Sequence, residues 1–95
     1  MLKTQDSAKV AKVASRLQNA LLRLERVEEE LREMEEGWGA PPTMINPLQY
    51  EHDWVAWNSL ARARAHYAHL LEEREVLREM IRALRRWLKE VRDAR

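Results

Sequence analysis

His66, His69 and Glu73 stand three and four residues apart, a spacing that sets all three on one side of a helix. Neutral imidazole and carboxylate suit zinc or iron, so a metal site is the first chemistry to weigh. Bundles that hold a carboxylate-bridged iron pair use Glu-x-x-His on two helices together with further glutamates. This chain has no Glu-x-x-His, and its first periodic segment has no histidine. The reading is therefore no metal ligand set, with the histidines at a surface or interface where they respond to pH.

Arg74 poses a different question, because it occupies a position where the surrounding pattern calls for an apolar residue. A buried guanidinium needs carboxylate partners, since an unpaired charge away from water is costly. Glutamates of another chain could supply them, and a polar residue on such a seam fixes register and oligomer state. The alternatives are a side chain that reaches out to solvent and a catalytic or ligand-binding arginine of the kind small helical enzymes place inside a bundle. Nothing else points to catalysis. The chain has no glycine-rich phosphate loop, no cysteine and no Ser–His–acid spacing. The expectation is a non-enzyme with no catalytic residue and no cofactor.

Four tryptophans complete the inventory. Trp38, Trp54 and Trp57 are expected to gather where a loop folds over a helix start, capping a core, with a partner anchor as the alternative. Trp87 lies among arginines, apart from the other three, and is the strongest candidate for an interface anchor.

The elements that must position these groups are helices. Two glycines and three prolines in 95 residues leave too little turn chemistry for a many-stranded fold, and Leu, Arg, Glu and Ala favour helix. The absence of cysteine excludes a disulfide scaffold and thiolate zinc sites. Steps of three and four link Val10, Val13, Leu17, Ala20, Leu24, Val27, Leu31 and Met34, so a helix is predicted over 7–36. Thr4 or Asp6 can cap its start. Gly37 suits the left-handed position that closes it, and Pro41 and Pro42 prevent continuation.

A loop over 37–46 leads to a second helix over 47–93, which Asn46 can cap, Pro47 can open and an Ile45–Tyr50 contact can staple. Its seam runs Ala56, Leu60, Ala63, Tyr67, Leu70, Arg74, Leu77, Ile81, Leu84, Leu88 and Val91, and a short break near His52 and Asp53 is the alternative. A connection this short favours an antiparallel hairpin. The fold class is thus all-α, a single hairpin domain over 1–95 with coiled-coil heptads, assembling into a multi-helix oligomer.

The predicted helices differ in length, about 45 Å against about 70 Å at 1.5 Å per residue. With Met34 opposite Ala56, Val10 meets Ile81 and a C-terminal overhang from about residue 82 to 95 has no partner in its own chain. A second apolar stripe, Ala14 and Leu21 on one helix and Trp57, Ala61, Ala68 and Leu71 on the other, also needs cover. The expected oligomer or partner interface is Leu71, Arg74, Leu84, Trp87, Leu88 and Val91. The competing reading is a second helix that folds back into a three-helix monomer.

Charge is segregated along the chain. Residues 1–24 carry +4, residues 25–36 carry −5 and residues 78–95 carry +4. One reading pairs the acidic end of one hairpin with the basic end of another. A second lets Lys9, Lys12, Arg82, Arg85, Arg86, Lys89, Arg92 and Arg95, with Lys3, contact nucleic-acid phosphates, by backbone contacts only and with strong salt dependence. The bland alternative is a solvated charged surface. No apolar run is long enough for a signal peptide or a membrane span, and Asp6 within an unbroken repeat argues against a mitochondrial presequence. A cytoplasmic, intracellular protein without membrane contact is expected. In plain architecture the hairpin resembles the oligomerisation hairpins of viral small terminase subunits and the coiled-coil export chaperones of flagellar systems. The similarity is one of shape and carries no motif residues; the first group implies DNA packaging as the alternative function.

Overall fold

The computed structural model describes residues 4–94, with side chains from residue 7 onward. The caps assigned to Thr4 and Asp6, and the phosphate contacts assigned to Lys3 and Arg95, fall on side chains outside that set. The described chain is all-helical, and its two long helices form a hairpin. Helix α1 spans Thr4–Trp38 and helix α2 spans Trp54–Asp93, with 3-10 turns at Pro42–Met44 and Pro47–Tyr50 between them. Among the described residues no helix is long and apolar enough to cross a membrane.

Both inner helix ends differ from the sequence expectation, for local reasons. Gly37 does not close α1; it lies inside the last turn, and Gly39, with φ at +79°, takes the left-handed conformation just beyond Trp38. At the other side, Asn46 and Pro47 do open a helical turn, with Asn46 Oδ1 accepting from the Leu48 N–H at 3.0 Å. That turn closes on itself through the Glu51 N–H donating to the Leu48 carbonyl at 3.2 Å and the Asp53 N–H to the Tyr50 carbonyl at 2.9 Å. A second cap then starts α2. Asp53 Oδ1 accepts from the Ala56 N–H at 3.0 Å, and the Asp53 carbonyl accepts from the Trp57 N–H at 2.8 Å. The predicted start at residue 47 is therefore corrected to Trp54, and the alternative, a break near His52 and Asp53 with a new cap, is the arrangement present.

These shifts change the length arithmetic. Helix α1 has 35 residues and α2 has 40, about 52 Å and 60 Å at 1.5 Å per residue. Glu30 meets His66 and Lys9 meets Trp87, each more than a turn further along α2 than the Met34–Ala56 register allows. The residues from 82 onward are accordingly not a bare overhang: Leu84, Trp87, Leu88 and Val91 are all half-buried.

Contacts within the hairpin cluster into two compact units, one joining the chain up to Glu25 with the chain from Glu75, the other comprising Arg26–Arg74. In the first, Ala20, Leu77 and Ile81 are buried; in the second, Val27, Leu31, Leu60, Tyr67 and Leu70 are. Every residue of both anticipated seams is buried or half-buried. The repeat of threes and fours is thus the buried stripe, worth about 1.5–3 kcal/mol for each fully covered large side chain such as Leu60 or Leu70.

The two glycines give a paired test. Neither has an atom within 4 Å of an added Cβ, so only backbone conformation separates them. Gly37→Ala should raise thermal stability by about 0.5–1 kcal/mol, as helix propensity dictates. Gly39→Ala should lower it by about 1 kcal/mol, the cost of the left-handed conformation. Parallel melts of the two variants check both signs.

Candidate functional site

The sequence candidates divide between the two units. In the Arg26–Arg74 unit, starting α2 at Trp54 puts that residue just before the buried stripe begins at Ala56. Trp54 and Val55 are each 74% exposed, and Met44 and Leu48 are exposed as well. Trp38 and Trp57 are half-buried. The expected gathering of three tryptophans as a core cap is therefore corrected: Trp54 stands in solvent, because the Asp53 cap sets it off the phase of the seam.

Two shallow depressions mark the same unit. One, of about 290 Å³, is apolar apart from one guanidinium and is lined by Pro47, Trp57, Leu60, Ala61 and Arg64. The other, of about 410 Å³, lies among Glu30, Glu33, Met34, Gly37, Trp38 and His66. His66 Nε2 lies 3.8 Å from Glu30 Oε2 across the hairpin. His69 is exposed and Glu73 half-buried, and among the described residues no three His, Cys, Asp or Glu side chains converge closely enough to hold a metal ion.

The sequence pattern marks Tyr67 only as a seam residue, and the structure adds a polar pair there. The Tyr67 hydroxyl donates to Glu35 Oε1 at 2.5 Å, while the ring itself is buried. The available signal was the tyrosine itself, since a phenol on a buried stripe must find an acceptor. The hydrogen bond to Glu35 raises the Tyr67 pKa above its ordinary value; burial and the Glu35 charge add to the rise, and the Arg74 charge opposes it. Arg74 is half-buried on the seam, and its Nε is buried without a hydrogen-bond partner. Leaving such a donor unmatched costs about 1–3 kcal/mol.

The other unit collects the basic residues. Lys9, Lys12, Arg82, Arg85, Arg86, Lys89 and Arg92 are all exposed, and by sequence this unit carries twelve basic and six acidic side chains, a net +6. The Arg26–Arg74 unit carries five basic and ten acidic side chains, a net −5. Leu21, Leu22, Val76 and Met80 are exposed large apolar residues of the basic unit. Trp87 does not stand beyond the reach of α1: Lys9 Nζ lies 5.4 Å from its ring centroid, a cation–π distance. Of the six residues expected at an interface, Leu84, Trp87, Leu88 and Val91 belong to the basic unit and Leu71 and Arg74 to the acidic one. All six are half-buried.

Two substitutions test the polar seam. Tyr67→Phe should cost about 1.5 kcal/mol, the usual worth of a hydrogen bond to a charged acceptor. A raised folded-state pKa means that Tyr67's contribution is complete below the unfolded value, near 10, and is lost as pH climbs through the folded one. Chemical denaturation at rising alkaline pH should therefore show a loss of stability that the phenylalanine variant lacks. Arg74→Leu should raise stability by about 1 kcal/mol, because a seam charge with an orphaned donor is exchanged for an apolar side chain. A drop in melting temperature would show instead that the guanidinium is favourably paired.

Compared with models of protein families, with curated proteins and with solved structures, the chain has no match.

Proposed function

We propose that this protein is a structural or adaptor component that self-assembles by coiled-coil packing of its helical hairpins and performs no chemistry of its own. The observation that carries the reading is the apolar surface each unit leaves in water. Trp54, Val55, Leu48 and Met44 are exposed in one unit and Leu22, Leu21, Val76 and Met80 in the other. Large apolar side chains left exposed on a small protein are candidates for a site of association, and an exposed tryptophan is a strong anchor for one. A seam arginine with an unmatched donor agrees with a packing interface in which a second chain fixes register. Docking of a further partner through the C-terminal segment has a weaker basis, since Trp87 lies beneath Lys9. Trp54 takes its place as the candidate anchor.

A second reading, an oligomer that holds nucleic acid by its phosphates, draws on one observation. Nine exposed basic residues among those described share a unit of net +6. Long helices that carry such a surface without a recognition-helix motif can meet the backbone and not the base edges.

Light scattering after size exclusion, at low and at high salt and with absorbance monitored for nucleic acid, separates the readings. A defined oligomer free of nucleic acid is the expected result, and a stable monomer would overturn the proposal. Arg85, Arg86 and Arg92 changed together to Glu should weaken assembly under the first reading. Under the second, the same variant keeps its assembly and releases bound nucleic acid.

A further inference from the structure

We infer that the apolar face at the start of α2 is covered by the same face of a second copy of this chain, the two helices running antiparallel and crossing midway between Trp57 and Ala61. This rests on the self-assembly reading and names the contact and its sense. Every residue it uses lies in the Arg26–Arg74 unit.

The groove itself indicates what fits it. Trp57, Leu60, Ala61 and Arg64, which line the 290 Å³ depression together with Pro47, stand at i, i+3, i+4 and i+7 of α2. Four positions so spaced form the hole that takes a side chain of a facing helix in knobs-into-holes packing. The face extends in both directions by the same threes and fours, through Trp54 before the hole and through Ala68 and Leu71 after it. Trp54 is 74% exposed, and Ala61 and Ala68 are exposed as well. Large and small residues therefore alternate on a face that the hairpin's own seam does not use.

Size and charge together select a second copy and its direction. Antiparallel pairing about that crossing point sets Trp57 of each copy over Ala61 of the other, large against small. It also sets Trp54 of each over Arg64 of the other, a cation–π match. Charge along the segment changes sign across the same point, with Glu51 and Asp53 before it and Arg62 and Arg64 after it. Among the described residues neither arginine has an ion-pair partner in its own chain. One two-fold axis then brings the acidic start of each segment to the basic part of the other, twice over. Parallel pairing in register would set tryptophan on tryptophan, leave Ala61 facing Ala61 and oppose Arg64 with Arg64.

The chain has no cysteine, so a single introduced thiol reports the contact. Ala61 lies on the proposed face and Ser59, at nearly the same height, on the opposite side of α2; both are exposed. Ala61→Cys, treated with a short bifunctional thiol reagent at a concentration where the protein is oligomeric, should give a strong cross-linked dimer. Ser59→Cys, facing away, should give roughly tenfold less. Equal cross-linking of the two, or none from Ala61→Cys in a protein that is oligomeric by light scattering, would overturn the contact and leave self-assembly intact. A protein monomeric at all concentrations would sink both the pairing and the function it rests on. Analytical ultracentrifugation gives a second measure of the same contact. Trp54→Ala alters no buried residue and should weaken self-association roughly thirtyfold, the scale of an interface anchor. Arg64→Glu, which sets a carboxylate toward Glu51 and Asp53 of the second copy, should weaken it roughly tenfold, and Arg64→Lys should weaken it less. Self-association that either Trp54→Ala or Arg64→Glu retains in full would overturn the inference.

Discussion

Two helices packed against each other can cover one stripe apiece, and that limit shapes the rest of this molecule. The stripe here is long and uninterrupted in phase, and every position on it is buried or half-buried. The remaining apolar residues have no second layer to go to. Leu22, Val76, Met80, Trp54 and Val55 stand in water because a hairpin offers a seam and not a core. In a larger bundle the same residues would be unremarkable. On a two-helix scaffold they are surface, and apolar surface of this kind is the main reason to read the protein as one that meets another chain.

The seam is not purely apolar, and its polar members are placed with consequence. Tyr67 satisfies its hydroxyl by reaching Glu35 on the facing helix, which ties α1 to α2 in the better buried unit. Arg74 sits seven residues further along the same stripe, two turns away, with a donor left unmatched and a charge that still acts on the Tyr67 phenol. Such a residue is expected to stabilise an isolated hairpin less than leucine would. It makes better sense in a packing arrangement where register matters, because a polar group inside a seam penalises wrong alignments more than it supports the right one.

A short loop segment has effects out of proportion to its size. The separate caps at Asn46 and Asp53 stop the 3-10 turn at Tyr50 from running into α2. This shortens α2 at its start, and the left-handed Gly39 allows α1 to run two residues beyond its expected end. In the unit that joins the two ends of the chain, Lys9 lies over the Trp87 ring. The candidate anchor thereby moves from the C-terminal segment, where Trp87 is half-buried, to the beginning of α2, where Trp54 is exposed.

Composition and the three-four repeat by themselves determined the all-helical class, the hairpin, the membership of both buried stripes and the segregation of charge. These properties are local or additive: propensity, period and charge can be counted along the chain without knowing what touches what. Tertiary structure decided the rest. Whether Gly37 or Gly39 closed α1 depended on which backbone turned left-handed, and both glycines allowed it. Whether α2 began at Pro47 or Trp54 depended on competition between two good caps within eight residues, each plausible alone. The register followed from those choices, because on a periodic seam a shift along the helices can keep the apolar stripe buried while it changes the flanking partners. Glu30 with His66, Lys9 with Trp87 and the Tyr67–Glu35 bond report that shift, and none of them is written in the period.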